Sequence, residues 1–164
     1  MGAEEKAARI RLDRALARDR EALFRLLQYS LFEESECDGN EMNGDALFDY
    51  PWFDAYFTDG DRFAFLVREE ETDRLLGFAM VRSVGAGQYS MAEFMVVPGA
   101  RRRGVGGAVA RACFDRFRGG WEVRPSQGSE KAFRFWRHVI EAYTGGRCAW
   151  KDGAFAFTNA LDAQ

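Results

Sequence analysis

The sequence predicts a single α/β (α+β) domain over residues 1–164, with a mixed central sheet flanked by helices in the order βααβββαβαββ. Three observations carry this. The chain has 164 residues, of which 47% are apolar and 30% charged, a composition that suits one globular domain with a sizeable core. Segments of period-two alternation and segments of helical period follow one another along it. In the middle, "QYSMAEFMVVPGARRRGVGGAVARACF" reads as a strand, a short loop and a glycine-opened helix, and "WEVRP" follows as another strand. A crossover of that kind joins parallel strands.

The elements follow in order. "ARIRLDRAL" alternates Ile10 and Leu12 with charges and reads as a first strand. From Arg18 to Phe32, Leu23, Phe24, Leu27 and Leu31 recur at helical spacing. The acidic stretch "EESECDGNEMNGD" is rich in turn formers and reads as a loop. "ALFDYPWFDAYF" reads as a short helix interrupted near Pro51, and "RFAFLVRE" and "RLLGFAMVRSV" as two strands joined by a charged turn. Pro98, which cannot donate to a ladder, ends the long strand that follows. In the next helix Val109, Ala110, Cys113, Phe114 and Phe117 form one face, shared by Gly106, and Gly119-Gly120 stops it. Ser129 is placed to cap a further helix running to about Tyr143. Asp152-Gly153, between alternating segments, marks a closing hairpin.

Composition removes several classes of function. No apolar run is long enough for a membrane span. The charged N-terminus lacks the apolar core of a signal peptide. Met1-Gly2 opens like a myristoylation signal, but Lys6 stands where Ser or Thr is needed. An isoelectric point near 5.3 argues against general nucleic-acid binding. Cys37, Cys113 and Cys148 are odd in number and share no metal-type spacing. They point to a reduced, cytoplasmic setting with no metal site.

Against a net charge of -3, the run Arg101, Arg102, Arg103 followed by Gly104, Val105, Gly106 and Gly107 needs a reason. The start of a helix exposes unpartnered N–H groups and partial positive charge, which together bind phosphate. Glycines let an anion approach the backbone, and arginines add charge-assisted donors. The P-loop pattern needs Lys-Ser/Thr after the glycines, but Ala108-Val109 follows. The dinucleotide pattern G-x-G-x-x-G is not continued either. A basic surface loop leading into a tightly packed helix is the remaining alternative.

"FMVVPGARRRGVGG" resembles the acetyl-CoA signature of the GNAT superfamily of N-acetyltransferases, a strand ending in a hydrophobic-Val-x-Pro step and then R-x-x-G-x-G opening a helix. "WEVRP" and "SQGSEKAFRFWRHVI" resemble the family's next strand and helix, and the run is most similar to a subgroup of small bacterial predicted acetyltransferases. The resemblance implies acetyl-CoA as cosubstrate and direct transfer of its acetyl group to an amine. It implies that the backbone around Met95 and Val96 pairs with the pantetheine arm, that the amides from Arg102 to Gly107 hold the pyrophosphate, and that Arg101, Arg102 and Arg103 face this polyanion. It further implies an amide near Val96 as oxyanion donor. The family's Asn is Ser129 here, which the resemblance implies as a cofactor contact made by a shorter group, and its tyrosine acid is Trp136, whose indole N–H gives up no proton.

Glu93, between Ala92 and Phe94 on the long strand, is the candidate general base. The alternative for it is a strand-edge acid paired with an arginine. His138, the only histidine, falls on the polar face of its helix and is not a candidate. Tyr143 faces the same way as Trp136 but lies two turns further on, roughly 10 Å along the axis.

In this superfamily the acceptor site is shaped by the first two helices and the terminal hairpin. Here that region holds Tyr29, Phe32, Phe48, Tyr50, Trp52, Tyr56 and Trp150, with Glu33, Glu34, Glu36 and Asp38 nearby. An aromatic pocket with an acidic rim suits a small cationic amine. Core aromatics beside a solvated acidic loop are the other reading. Two further functions stay open, a non-catalytic acetyl-CoA-binding regulatory protein and a protein or peptide acetyltransferase. Neither a nucleic-acid nor a membrane partner is expected, and the chain is expected to be a monomer or a homodimer.

Overall fold

Seven strands form one sheet in the order β1-β2-β3-β4-β5-β7-β6. The computed structural model describes residues 9–160. The N-terminal positions that bear on signal and myristoyl sequences lie outside the described residues. The strands are β1 (Ile10–Arg14), β2 (Arg62–Glu69), β3 (Leu75–Gly85), β4 (Gln88–Val96), β5 (Gly120–Val123), β6 (Ala149–Lys151) and β7 (Ala154–Thr158). The helices are α1 (Arg20–Asp38), α2 (Ala55–Thr58), α3 (Val105–Arg116) and α4 (Glu130–Thr144). All neighbours pair antiparallel except β4 and β5, which are parallel and joined through α3. The predicted order and mixed sheet therefore hold.

Each face of the sheet carries its own core. On one side α3 and α4 bury Val109, Ala110, Cys113, Phe114, Trp136, Val139 and Ile140 against Phe65, Val81 and Trp121. On the other, α1 and the segment around α2 bury Leu23, Leu27, Phe53 and Tyr56 against Ala64, Leu66, Phe78 and Met80. The helical stripes read from the sequence are the ones that meet the sheet, and His138 is exposed as expected. At the closing hairpin Asp152 and Gly153 both take positive φ, the requirement of a two-residue turn that matches strand twist.

Two expectations are corrected. The acidic stretch is not a loop to its start, because α1 runs on to Asp38 and stops at Gly39 in the left-handed conformation. Acids at a helix C-terminus oppose the dipole, which is why the composition reads as non-helical, and the last turn holds no basic residue to offset them. The aromatic segment after it holds one helical turn, α2, preceded by turns through Pro51. Proline disfavours the helical conformation of the residue before it, so the helix begins late.

A bulge in β4 shapes the middle of the sheet. Met80 pairs with Glu93, but Val81 pairs with Met91, so Ala92 is an extra residue in β4. Such a bulge bends its strand. β4 meets β5 only over Gln88–Ser90, which pair with Gly120–Glu122. Beyond Ser90 the two parallel strands part, and the β5-facing backbone of β4 has no strand partner.

Candidate functional site

A cavity of about 640 Å³ opens where β4 and β5 part. Its wall is built from α1 (Ser30, Glu33, Glu34, Cys37), the end of β4 (Phe94, Met95, Val96), the loop and start of α3 (Arg101, Arg102, Gly106) and the start of α4 (Ser129, Lys131, Phe135, Trp136). Segments far apart in the chain thus converge on one gap in the sheet.

The backbone of β4 alternates across this gap. Val97 donates its N–H to Leu76 on the β3 side, so the N–H groups of Phe94 and Val96 turn toward the gap. Met95 belongs to the β3 ladder, opposite Phe78, and its carbonyl lies against Gly77 closely enough that a Cβ there would stand 2.1 Å from the oxygen. Of the two expected backbone contacts, Val96 opens onto the cavity, while Met95 reaches it through its side chain. Phe94, which the sequence analysis does not name, also turns its backbone N–H toward the gap. The signal for it was the alternation of β4 itself.

The arginines divide into two kinds. Arg101 is half-buried; its Nε donates to the Val96 carbonyl at 2.8 Å and its guanidinium meets Glu33 at 2.9 Å. That pairing holds the Glu33 carboxyl below its usual range. Arg101 therefore ties the end of β4 to α1 instead of standing free toward an anion. Arg102 and Arg103 are exposed. Arg102 and Gly104 both take positive φ, 66° and 72°, so the backbone is kinked just before α3 begins at Val105. Gly104 is the residue suited to that conformation. Gly106 has another reason: a Cβ there would stand 2.9 Å from Cε2 of Phe135. Val105 is buried and Gly107 partly so, in the first turn of α3.

Across the cavity Ser129 caps α4, its hydroxyl accepting from the Ala132 N–H at 3.1 Å. Trp136 is buried against Phe94, with ring centres 4.9 Å apart. Tyr143 does not reach the cavity. Its hydroxyl donates to Asp115 on α3 at 2.8 Å and accepts from Asn159 at 3.0 Å.

Glu93 lies on the α1 face of β4, two residues from Met95 on the same side. Burial first, and the nearby Glu34 carboxyl second, push its pKa up to about 8, partly offset by the Tyr50 hydroxyl. Glu34 is pushed up to about 7, by burial and then by Asp38. Glu93 forms no ion pair with an arginine among the described residues. The aromatic residues expected around the acceptor separate: Phe48 and Tyr56 are core, Tyr29, Phe32, Trp52 and Trp150 are exposed, and Tyr50 is half-buried beside Glu93. Trp150 packs on Phe133 and Phe155 of the hairpin side and does not line the cavity. The three cysteines are unpaired, and burial pushes the Cys113 thiol up to about 12. No group of metal-ligating side chains occurs among the described residues. Nor is any described helix long and apolar enough to cross a membrane.

Comparisons with known proteins bear on the family and the fold. The family model described as "Acetyltransferase (GNAT) family" matches residues 28–138. No curated protein matches the chain. Among solved structures, an acetyltransferase from Thermus thermophilus is similar, with a TM-score of 0.66 and 17% identity, over 93% of this chain and 98% of that one. A GNAT family acetyltransferase from Brucella melitensis in complex with acetyl-CoA has a TM-score of 0.61 and 13% identity, over 96% and 92% of the two chains. The aminoglycoside acetyltransferase meta-AAC0020 from an uncultured soil metagenomic sample, in complex with sisomicin, has a TM-score of 0.57 and 16% identity, over 79% and 86%.

Proposed function

The chain belongs to the GNAT acetyltransferase family, and from that premise we propose that it is an N-acetyltransferase moving the acetyl group of acetyl-CoA directly to the amine of a small acceptor. The observation that carries this is the parting of β4 from β5 beyond Ser90, beside the kinked Arg102–Gly104 backbone at the start of α3. An extended arm fits such a gap as an added half-strand, using the N–H groups of Phe94 and Val96. A pyrophosphate fits the amides from Arg102 to Gly107, with Arg102, Arg103 and Lys131 supplying charge. Ser129 caps α4 beside it. When bound, acetyl-CoA supplies an activated acetyl thioester.

The chain's own residues do the rest. The N–H of Val96 is placed to donate to an oxygen that gains charge in the gap. Glu93, held above the usual carboxylate range, accepts a proton from the incoming ammonium. Glu34 and Asp38, at the acidic end of α1, draw a cationic amine toward it. Trp136 gives packing and no transferable proton, so no residue is assigned as general acid.

The test is thiol release from acetyl-CoA with a panel of amines. Once an acceptor is found, Glu93→Gln is expected to lower kcat by about 10²–10⁴. In the wild type kcat/KM is expected to rise with pH through about 8, the range where Glu93 loses its proton. Equal rates and the same acid limb in both proteins would remove Glu93 as the base. Acetyl-CoA binding with no thiol release for any amine would favour a protein that holds acetyl-CoA without transferring its acetyl group.

A further inference from the structure

On the α1 face of the sheet, one row of residues beyond Glu93, stand two arginines that the acetyl-transfer reading does not use. Ala64, Met80 and Glu93 lie across β2, β3 and β4 in register, and Arg62, Arg82 and Ser90 form the next row on that face. Side chains two residues apart on a strand share a face, so both arginines project toward α2 and the Glu93 side. Their Cα atoms are directly paired. Like charges placed directly opposite destabilise a sheet. Arg82 is exposed and Arg62 half-buried, and neither guanidinium forms an ion pair among the described residues. Arg62 instead lies over the ring of Tyr56, 5.5 Å from its centre.

A second, independent feature sits in the same place. Tyr56 is 1% exposed, and its hydroxyl lies beside Tyr50 and Arg62 without a hydrogen bond of normal geometry to either. A buried hydroxyl left without a good partner is destabilising. Both guanidinium groups lie near enough to act on that hydroxyl, and so does Tyr50. Tyr50 in turn borders Glu93. The face thus runs from carboxylates (Glu34, Asp38, Glu93) through two tyrosines to two unpaired arginines.

We infer that Arg62, Arg82 and the Tyr56 hydroxyl form an anion subsite for the acceptor, which is therefore an amine that also carries a carboxylate or phosphate. The inference rests on the N-acetyltransferase reading and names its substrate class. Two guanidinium groups without an ion-pair partner, above a buried O–H, are donors that an oxyanion accepts from. Arg82 lies two residues along β3 from the residue paired with Glu93, roughly 7 Å at strand rise. A short spacer between amine and anion therefore spans the two ends. The same polarity disfavours a polycation, because its remote ammonium groups would meet Arg62 and Arg82.

The test uses acetyl-CoA with matched acceptors: β-alanine and γ-aminobutyrate, their carboxamides, the corresponding alkylamines, and O-phosphoethanolamine as the phosphate arm. The acids or the phosphate are expected to exceed the carboxamides in kcat/KM by about tenfold or more, in line with a charge-assisted pair. Preference for β-alanine or γ-aminobutyrate over O-phosphoethanolamine assigns the subsite to carboxylate, and the reverse assigns it to phosphate. Arg82→Gln and Arg62→Gln are each expected to bring the acid-to-amide ratio close to one, and Arg62→Lys to restore part of it. The ratio is internal to each variant, and a thermal shift with acetyl-CoA checks that each is folded. Acetyl-CoA binding together with an acid-to-amide ratio near one in the wild type overturns this inference and leaves the transferase reading standing. So does acetyl-CoA binding with turnover of alkylamines alone. Absence of acetyl-CoA binding by calorimetry removes both.

Discussion

At the residue scale, the arginine run separates structure from ligand chemistry within three positions. Arg101 is held by the Val96 carbonyl and Glu33, whereas Arg102 and Arg103 stand in solvent. Arg101→Ala is therefore expected to lower the stability of the free protein by about 1.5–3 kcal/mol, the range for a hydrogen bond from a charged donor, with little from the exposed ion pair to Glu33. Arg102→Ala and Arg103→Ala are expected to leave free-protein stability unchanged and to weaken acetyl-CoA binding by about 1–2 kcal/mol each. Denaturant melts and calorimetry on the three variants read this directly. Equal apo destabilisation by all three would return the run to an ordinary surface loop. The sequence could not make this division, because three identical side chains differ only in what the fold brings to them. Glu93 was more legible. An acid between Ala92 and Phe94 on a central strand announces desolvation, but the Glu34 carboxyl that adds to its rise comes from a helix turn read as loop.

At the element scale, β3 and β4 depend on a close approach. A Cβ on Gly77 would stand 2.1 Å from the Met95 carbonyl oxygen, a backbone atom that cannot move alone. Gly77→Ala is expected to destabilise by about 1–3 kcal/mol, lowering Tm by several degrees in a chain of this size, and to disturb the end of β4 that lines the cavity. An unchanged Tm would mean that β4 is free to shift. Gly106 differs, since its neighbour is the half-buried ring of Phe135. Gly106→Glu is expected to fold and to lose acetyl-CoA affinity, through bulk and charge at the proposed phosphate site. Most elements were readable because their local signals agreed with their place: alternation for β2, β3 and β4, one stripe for α3 and α4, Asp152-Gly153 for the hairpin. The last turn of α1 was not, because its acids resist a helix locally and only the fold keeps it. The bulge at Ala92 left no mark in the residue pattern, since it is a matter of register between strands.

At the scale of the whole molecule, the acidic cluster sets how stability depends on pH. Glu93 and Glu34 keep their protons in the folded chain up to about 8 and 7, whereas in the unfolded chain they release them near the ordinary 4.5. The folded state thus binds more protons across that window, so stability falls as pH rises from about 5 to 8. Glu33, lowered by Arg101, acts in the opposite sense and only below it. Glu93→Gln is expected to raise stability at pH 8.5 by roughly a few kcal/mol, seen as a higher Tm, and to change it little at pH 5. A Tm that climbs between pH 5 and 8 in the wild type would contradict the burial of these carboxyls. The gap between β4 and β5 has a different consequence. With β4 joined to β5 only through Gln88–Ser90, strands β1 to β4 and strands β5 to β7 are two half-sheets that share one short seam. They are set up to open as separate cooperative units, each with its own free energy of amide exchange. A ligand lying along the seam would bond to one half-sheet and pack on the other, so the two exchange energies are expected to differ in the free protein and to converge when acetyl-CoA is added. The gap proposed to take the cosubstrate is then also the joint along which the free molecule comes apart first.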